Sequence, residues 1–135
     1  MTLVVYDTNM VVSLLSPTDS LHQSAMSVAQ SWEARAARTA VSTITWAELR
    51  VGTLRRGPAA EQALNAFRQA AIDEIVPAGI EVADIAAALR AKDLSLRLPD
   101  ALVIATGLHV QADAVLTADK RLLKVAPDLI QLVTL

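Results

Sequence analysis

The sequence predicts an α/β protein built on a parallel sheet. Short runs of β-branched and other apolar residues alternate along the chain with longer amphipathic or alanine-rich segments. Strands that alternate with helices are typical of parallel sheets, because right-handed helical crossovers return the chain to the same edge. The first run, Leu3–Tyr6, has the composition of a strand buried on both faces. The length of 135 residues predicts a single domain over residues 1–135, large enough for a core without disulfides.

Five short runs, each bounded by polar or turn-forming residues, predict the strands. They are Leu3–Tyr6, Ala40–Ser42, Glu74–Val76, Ala114–Thr117 and Leu129–Val133. The shortest runs are near the lower limit for a strand. We therefore expect a central, mainly parallel sheet of four to five short strands.

Helical spacing and helix-start signals predict the segments between the strands. Ser16-Pro17 ends the first helix, Asp19 or Ser20 can cap the second, and Pro99 occupies the first-turn position that proline favours. The predicted helices are Met10–Leu15, Leu21–Ala37, Thr45–Arg56, Ala59–Ala71, Ile80–Leu94, Asp100–Val110 and Asp119–Val125.

Composition excludes several classes of protein. The chain has no cysteine, which rules out a disulfide scaffold, a zinc-thiolate site and a cysteine nucleophile. With 12 Lys+Arg against 14 Asp+Glu, the net charge of −2 argues against a protein that coats nucleic acid non-specifically. No charge-free apolar stretch approaches the roughly 20 residues of a membrane span, and the N-terminus lacks the basic region of a signal peptide. We expect a cytoplasmic protein without a membrane partner, whose 53% apolar content leaves surface for a partner or a second copy.

Four acidic residues are predicted at one edge of the sheet. Asp7 directly follows the first strand, and Asp119 lies two residues beyond the fourth. Glu48 lies early in the helix after the second strand, and Asp100 opens the helix that leads to the fourth. In parallel sheets, ligands bind at the edge where strands end and helices begin. Each acid alone could be a helix cap, and Thr45-x-x-Glu48 matches a capping box, but four repelling carboxylates together indicate a site for a hard divalent cation.

Weaker candidates surround these acids. Asn9 follows the first strand and Thr117 ends the fourth, so both are candidate helpers at the same edge, with turn formation as the alternative role. Basic residues follow Glu48 and Asp119 on predicted helices, where they could contact nucleic-acid phosphates or form a solvated face. These basic candidates are Arg50, Arg55, Arg56, Lys120 and Arg121.

Four short motifs that contain these acids follow one another in a characteristic order. They are Tyr6-Asp7-Thr8-Asn9, Trp46-Ala47-Glu48-Leu49, Pro99-Asp100-Ala101-Leu102-Val103-Ile104-Ala105 and Leu116-Thr117-Ala118-Asp119. In order, spacing and chain length, the set resembles the PIN-domain ribonucleases, and most closely the VapC toxins of bacterial toxin–antitoxin pairs. The resemblance spans essentially the whole chain.

The resemblance implies a PIN-like three-layer α/β/α sandwich and a metal-dependent endoribonuclease using Mg²⁺ or Mn²⁺. It further implies an RNA substrate, a homodimer and a small cognate antitoxin that neutralises the enzyme. Carried over by position, Asp7, Glu48, Asp100 and Asp119 are the catalytic and metal-binding residues. Some relatives have another acid three residues beyond the fourth position, where this chain has Leu122.

Other functional classes remain as alternatives to a nuclease. A non-catalytic PIN-like module that binds RNA or protein is the main one, although such a module has no physical reason to keep repelling carboxylates. A phosphoacceptor receiver domain needs an acidic pair after the first strand, where only Asp7 occurs. A dehalogenase-like phosphatase needs Asp-x-Asp there, and Asn9 occupies the second position. The aromatic content of 3% leaves little for base stacking, so we expect RNA recognition through backbone and shape.

Overall fold

The computed structural model describes residues 1–135 and contains one five-stranded sheet with helices on both faces. The strands are β1 (Leu3–Tyr6), β2 (Arg38–Ser42), β3 (Glu74–Val76), β4 (Ala114–Thr117) and β5 (Ile130–Leu132). The helices are α1 (Thr8–Leu15), α2 (His22–Glu33), α3 (Thr43–Arg56), α4 (Pro58–Ala71), α5 (Ile80–Lys92) and α6 (Leu98–His109), with a 3₁₀ turn at Lys120–Leu122. The predicted α/β/α sandwich is confirmed.

All neighbouring strands are parallel, in the order β3-β2-β1-β4-β5. The central strand β1 pairs Val5 with Ala40 of β2 on one side and with Val115 of β4 on the other. One further backbone hydrogen bond, from the N–H of Asp7 to the carbonyl of Leu116 at 3.0 Å, continues the β1–β4 pairing just past the end of β1. The backbone of Asp7 is therefore fixed to two strands at the carboxyl edge of the sheet.

The sheet separates two hydrophobic clusters. Along β1, Val5 belongs to the cluster under α5 and α6, whereas Val4 and Tyr6 belong to the cluster under α1, α2 and α4. Val4 and Val5 are both fully buried, because successive side chains of a strand point to opposite faces. This is why β1 consists only of apolar residues and tyrosine.

Helix α6 packs closely on the sheet. A Cβ atom built on Gly107 would lie 2.6 Å from Val115 Cγ2, so only glycine allows this approach of α6 to β4. Although α6 is apolar on most sides, none of the helices, α6 included, combines the length and hydrophobicity needed to cross a membrane.

Most helix boundaries differ from prediction by one or two residues, and three differ for a physical reason that the structure shows. Helix α3 begins after Ser42, whose hydroxyl accepts the N–H of Ile44 at 3.1 Å, so the predicted capping box at Thr45 is wrong. Helix α2 ends at Glu33 rather than Ala37, because Ala36 adopts a positive φ of 58°. The helix predicted over Asp119–Val125 is a single 3₁₀ turn, Lys120–Leu122.

Candidate active site

The four predicted acids line one cleft of about 490 Å³ at the carboxyl edge of the sheet. They are Asp7, Glu48, Asp100 and Asp119. The strands and helices bring them together from four separate segments of the chain. The cleft is lined mainly by polar residues, and Arg97 is the cation among them.

Each acid owes its position to the element that carries it. Asp7 caps α1 by accepting the N–H of Thr8 at 2.8 Å, and Asp119 caps the 3₁₀ turn by accepting the N–H of Arg121 at 3.0 Å. Asp100 lies in the first turn of α6, next to Pro99. The capping interpretation of Asp7 and Asp119 is thus correct locally, and it also explains why both carboxylates lie at the edge where the strands end.

Asp7 is the most enclosed of the four. Only 6% of the surface of this residue is exposed to solvent. The fully buried hydroxyl of Thr117 donates to Asp7 Oδ2 at 2.7 Å, and Asn9 Nδ2 donates to the same oxygen at 3.3 Å. Asn9 Oδ1 in turn accepts the N–H of Ala118 at 2.9 Å. Asn9 and Thr117 therefore fix the orientation of the Asp7 carboxylate.

The pKa of Asp7 is raised above its usual value. Burial is the main cause, and the charges of Asp100 and Glu48 raise the pKa further. Hydrogen bonds from Thr117 and the N–H of Thr8 act in the opposite direction. No lysine, arginine or histidine forms an ion pair with Asp7. The negative charge of Asp7 is thus held next to two other acids without a cation of the protein beside it.

The other three acids have partners within the protein. Glu48 Oε1 accepts the hydroxyl of Thr8 at 2.6 Å. Arg97 Nε contacts Asp100 Oδ2 at 3.2 Å. Arg121 donates through Nε to Asp119 Oδ1 at 3.0 Å and through Nη2 to Oδ2 at 2.8 Å, and these hydrogen bonds lower the pKa of Asp119.

The donor set fits a hard divalent cation in its chemistry. All four candidate ligands are carboxylates, and Mg²⁺ prefers oxygen donors while retaining several of its waters. A cation would also offset both causes of the raised pKa of Asp7, its burial and the smaller repulsion from Asp100 and Glu48. As they stand, no three acidic or histidine side chains are arranged to enclose a metal ion.

The five basic candidates lie at different distances from the cleft. Arg121 contacts Asp119 at the cleft, and the neighbouring Lys120 is exposed. Arg50 forms an ion pair with Glu61 of α4 at 3.1 Å. Arg55 and Arg56 lie in the last turn of α3, roughly 10 Å along the helix axis from Glu48 at about 1.5 Å per residue, and do not line the cleft.

Sequence reasoning missed Arg97 and did not assign Asp19 to the cleft. Both residues line it. Arg97 could have been found from its spacing, because it precedes Asp100 by three residues at the start of a helix. Asp19 accepts the N–H of Leu21 at 2.8 Å, as its predicted capping role requires. Nothing in the sequence indicates that this loop reaches the acids.

A family model for the PIN domain matches residues 4–127 of the chain. A toxin–antitoxin complex from Klebsiella pneumoniae contains a chain 26% identical to this one, with a TM-score of 0.74 and coverage of 95% of this chain and 96% of that one. A chain of VapBC2 from Rickettsia felis, in a complex bound to a promoter DNA fragment, is 14% identical with a TM-score of 0.78. The match covers 96% of this chain and 98% of that one. Mycobacterium tuberculosis VapC20, described as a sarcin–ricin loop cleaving toxin, is 16% identical to this chain with a TM-score of 0.66. The match covers 83% of this chain and 86% of that one. A comparison with curated protein sequences gave no match.

Proposed function

The chain belongs to the PIN domain family, and on that premise we propose that it is a metal-dependent endoribonuclease, the toxin of a toxin–antitoxin pair. The observation that carries the proposal is the convergence of Asp7, Glu48, Asp100 and Asp119 on one cleft. Helix capping accounts for single acids, but it does not account for a carboxylate whose pKa is raised by burial and, further, by two neighbouring acids.

Each residue has a distinct role in this proposal. Asp7 and Asp100 hold Mg²⁺ or Mn²⁺ directly, and Glu48 and Asp119 hold the ion or its waters. Asn9 and Thr117 keep the Asp7 carboxylate turned toward the cleft through their hydrogen bonds. When bound, the ion supplies a water of lowered pKa and positive charge beside the phosphodiester.

The toxin role and the RNA substrate are supported by the solved relatives. The relative from Klebsiella pneumoniae is part of a toxin–antitoxin complex, and the one from Mycobacterium tuberculosis is described as a toxin that cleaves the sarcin–ricin loop. We accordingly propose a small antitoxin protein as the partner. A cytoplasmic location follows from an RNA substrate of this kind, and the described residues 1–135 form a single PIN-like domain in this proposal.

We also propose a homodimer. Val51 and Leu54 lie three residues apart on α3, and they are 58% and 63% exposed. Two large apolar side chains at this spacing share one helix face, which is typical of a surface covered by a partner.

The test is incubation of the purified protein with total RNA in Mn²⁺, Mg²⁺ or EDTA. We expect discrete cleavage that requires metal and falls at least roughly 100-fold in Asp7→Asn and Asp100→Asn, because each removes one negative ligand. Asp84→Asn is the matched control, since Asp84 is an exposed acid of α5 outside the cleft. It should cleave like the wild type.

Two outcomes would contradict the proposal. Cleavage at wild-type rates by both Asp7→Asn and Asp100→Asn would show that the site is elsewhere. An antitoxin-free protein that cuts no RNA in any metal, including ribosomal and transfer RNA, would instead favour a PIN-like module that binds without cutting.

A further inference from the structure

Two of the four candidate metal ligands already have an arginine of the same chain beside them. Arg121 covers both oxygens of Asp119, whereas Arg97 contacts only Oδ2 of Asp100. Asp7, by contrast, has no cationic partner. The cleft is therefore partly neutralised by the protein itself, at Asp100 and Asp119.

Resting on the proposed function, we propose that Arg97 and Arg121 are built-in counter-ions of the cleft. Each holds one carboxylate while no divalent ion is bound, is displaced from it by the ion, and then binds a phosphate of the RNA strand. This assigns the two arginines to substrate binding that depends on the metal.

The exposure of the two pairs allows such an exchange. The arginine side chains are 66% and 68% exposed, whereas the side chains of Asp100 and Asp119 are only 14% and 17% exposed. Each guanidinium thus covers its carboxylate from the solvent side. It can leave without disturbing the core, because neither arginine is part of a hydrophobic cluster.

The two arginines also lie near each other. Arg97, Arg121 and Lys124 line a small hollow of about 40 Å³ next to the cleft, together with Asp93 and Asp100. Guanidinium groups bind phosphate with two parallel hydrogen bonds, the geometry that Arg121 already shows with Asp119. Once the ion neutralises Asp100 and Asp119, this hollow becomes more positive and favours the strand next to the bound ion.

The first test is Mn²⁺ binding measured by calorimetry. We expect Arg97→Gln and Arg121→Gln to bind Mn²⁺ roughly two- to fivefold more tightly than the wild type, the range that an exposed ion pair contributes. Both side chains are exposed, so the variants should fold, and thermal denaturation checks this.

Two control variants separate the ion pair from the general loss of positive charge. Lys120→Gln removes a charge from the same turn, where Lys120 forms no ion pair. Arg121→Lys keeps the charge but loses the two-point contact. We expect Arg121→Gln to increase the Mn²⁺ affinity more than Lys120→Gln does. The Mn²⁺ affinity of Arg121→Lys should lie between those of Arg121→Gln and the wild type. The proposal would be overturned if Arg121→Gln and Lys120→Gln increased the Mn²⁺ affinity equally and Arg121→Lys bound Mn²⁺ as tightly as the wild type.

The second test is binding of a short single-stranded RNA oligonucleotide at several salt concentrations. Ca²⁺ replaces Mn²⁺, and a gel verifies that the strand stays intact. In Ca²⁺, each arginine variant should reduce the slope of log affinity against log salt by about 0.7, the value for one lost phosphate contact. In EDTA, where both arginines remain on their carboxylates, the slope should equal that of the wild type.

Arg38→Gln is the control for RNA binding, because Arg38 is exposed at the start of β2, opposite the carboxyl edge of the sheet. It should not change the slope in Ca²⁺. Unchanged slopes of Arg97→Gln and Arg121→Gln in Ca²⁺ would exclude the phosphate role. A wild type that binds no Mn²⁺ would overturn the proposed function as well. Metal-dependent cleavage, together with arginine variants that match the wild type in Mn²⁺ affinity and in the salt dependence of RNA binding, would overturn only this inference.

Discussion

At the scale of single residues, Asp7 couples the site to the stability of the fold. Burial and two neighbouring acids raise its pKa in the folded protein. The folded state therefore binds more protons than the unfolded chain between the usual carboxyl pKa and the raised one. The free energy of unfolding then falls as the pH rises through this window. At neutral pH, the charge of Asp7 destabilises the metal-free protein.

Asp7→Asn should remove this pH dependence. In EDTA at neutral pH, we expect the Tm of the variant to equal or exceed that of the wild type, because asparagine also caps helices well. Mn²⁺ should raise the Tm of the wild type and leave that of Asp7→Asn nearly unchanged. Thermal denaturation from acid to neutral pH, with and without Mn²⁺, measures both effects.

Asp7→Ala is the useful comparison, since it removes the charge and the cap together. It should unfold about 1 kcal/mol more easily than Asp7→Asn. If Asp7→Asn were clearly less stable than the wild type in EDTA at neutral pH, the charge of Asp7 would be stabilising, contrary to the raised pKa.

The residues of the site differ in how far sequence could predict them. The acids follow from a topological rule, because residues after parallel strands meet at one edge. The ion pairs of Arg97 and Arg121 depend on side-chain rotamers in the folded protein, which no pattern of residue types specifies. Arg121 was predicted near the cleft as a phosphate contact, but its partner Asp119 was not foreseen.

At the scale of elements, the predictions held where local signals were unambiguous. The bounds of β1, β3 and β4 are as predicted, because Asp7 and Pro77 directly follow β1 and β3, and Thr117 ends the apolar run of β4. The start of α3 was misplaced because Ser42 and Thr45 are both good caps. Ser42 is the N-cap because β2 ends at this residue, and the end of β2 is set by its pairing with neighbouring strands rather than by the local sequence. The buried hydroxyl of Thr45 is left without a hydrogen-bond partner.

The junction between α3 and α4 depends on one glycine. Gly57 has φ 103° and ψ −170°, a conformation that is essentially restricted to glycine. A Cβ atom there would meet nothing within 4 Å, so the cost of a substitution is purely conformational. We expect Gly57→Ala to lower the free energy of unfolding by about 1–3 kcal/mol, measured by urea denaturation.

Gly79→Ala is the matched control for this prediction. Gly79 also precedes a helix and has open space around its Cα, but its φ of −82° suits any residue. Alanine should therefore change the stability little, because the lower entropy of the unfolded chain offsets the loss of a favourable N-cap residue. Equal effects of the two substitutions would contradict the assignment of strain to Gly57.

At the scale of the whole molecule, the parallel arrangement was predictable but the strand order was not. Alternating strands and helices imply crossovers, yet they do not specify which strands become neighbours. The order β3-β2-β1-β4-β5 makes β1 central and sets β4 directly beside it. Asp7 and Thr117, 110 residues apart in the chain, consequently meet at 2.7 Å. The site thus depends on long-range pairing as much as on the motifs.

The apolar face of α3 gives the last prediction, which concerns assembly. If Val51 and Leu54 are covered in a homodimer, Leu54→Glu would place a charge in a desolvated interface and leave it without a partner. We expect the wild type to be a dimer at tens of micromolar, roughly the range for a modest apolar interface, and Leu54→Glu to be a monomer. Size-exclusion chromatography with light scattering measures the mass of each.

Gln62→Glu provides the control, because it adds the same charge at an exposed polar position of α4. It should remain a dimer with the wild-type Tm. Leu54→Glu should still fold, since Leu54 belongs to no hydrophobic cluster, but its Tm should be lower because the dimer no longer stabilises the folded state. A monomeric wild type would refute the homodimer. A Leu54→Glu protein that stays dimeric would instead place the interface on another face, and the exposed pair on α3 would then be free for the antitoxin.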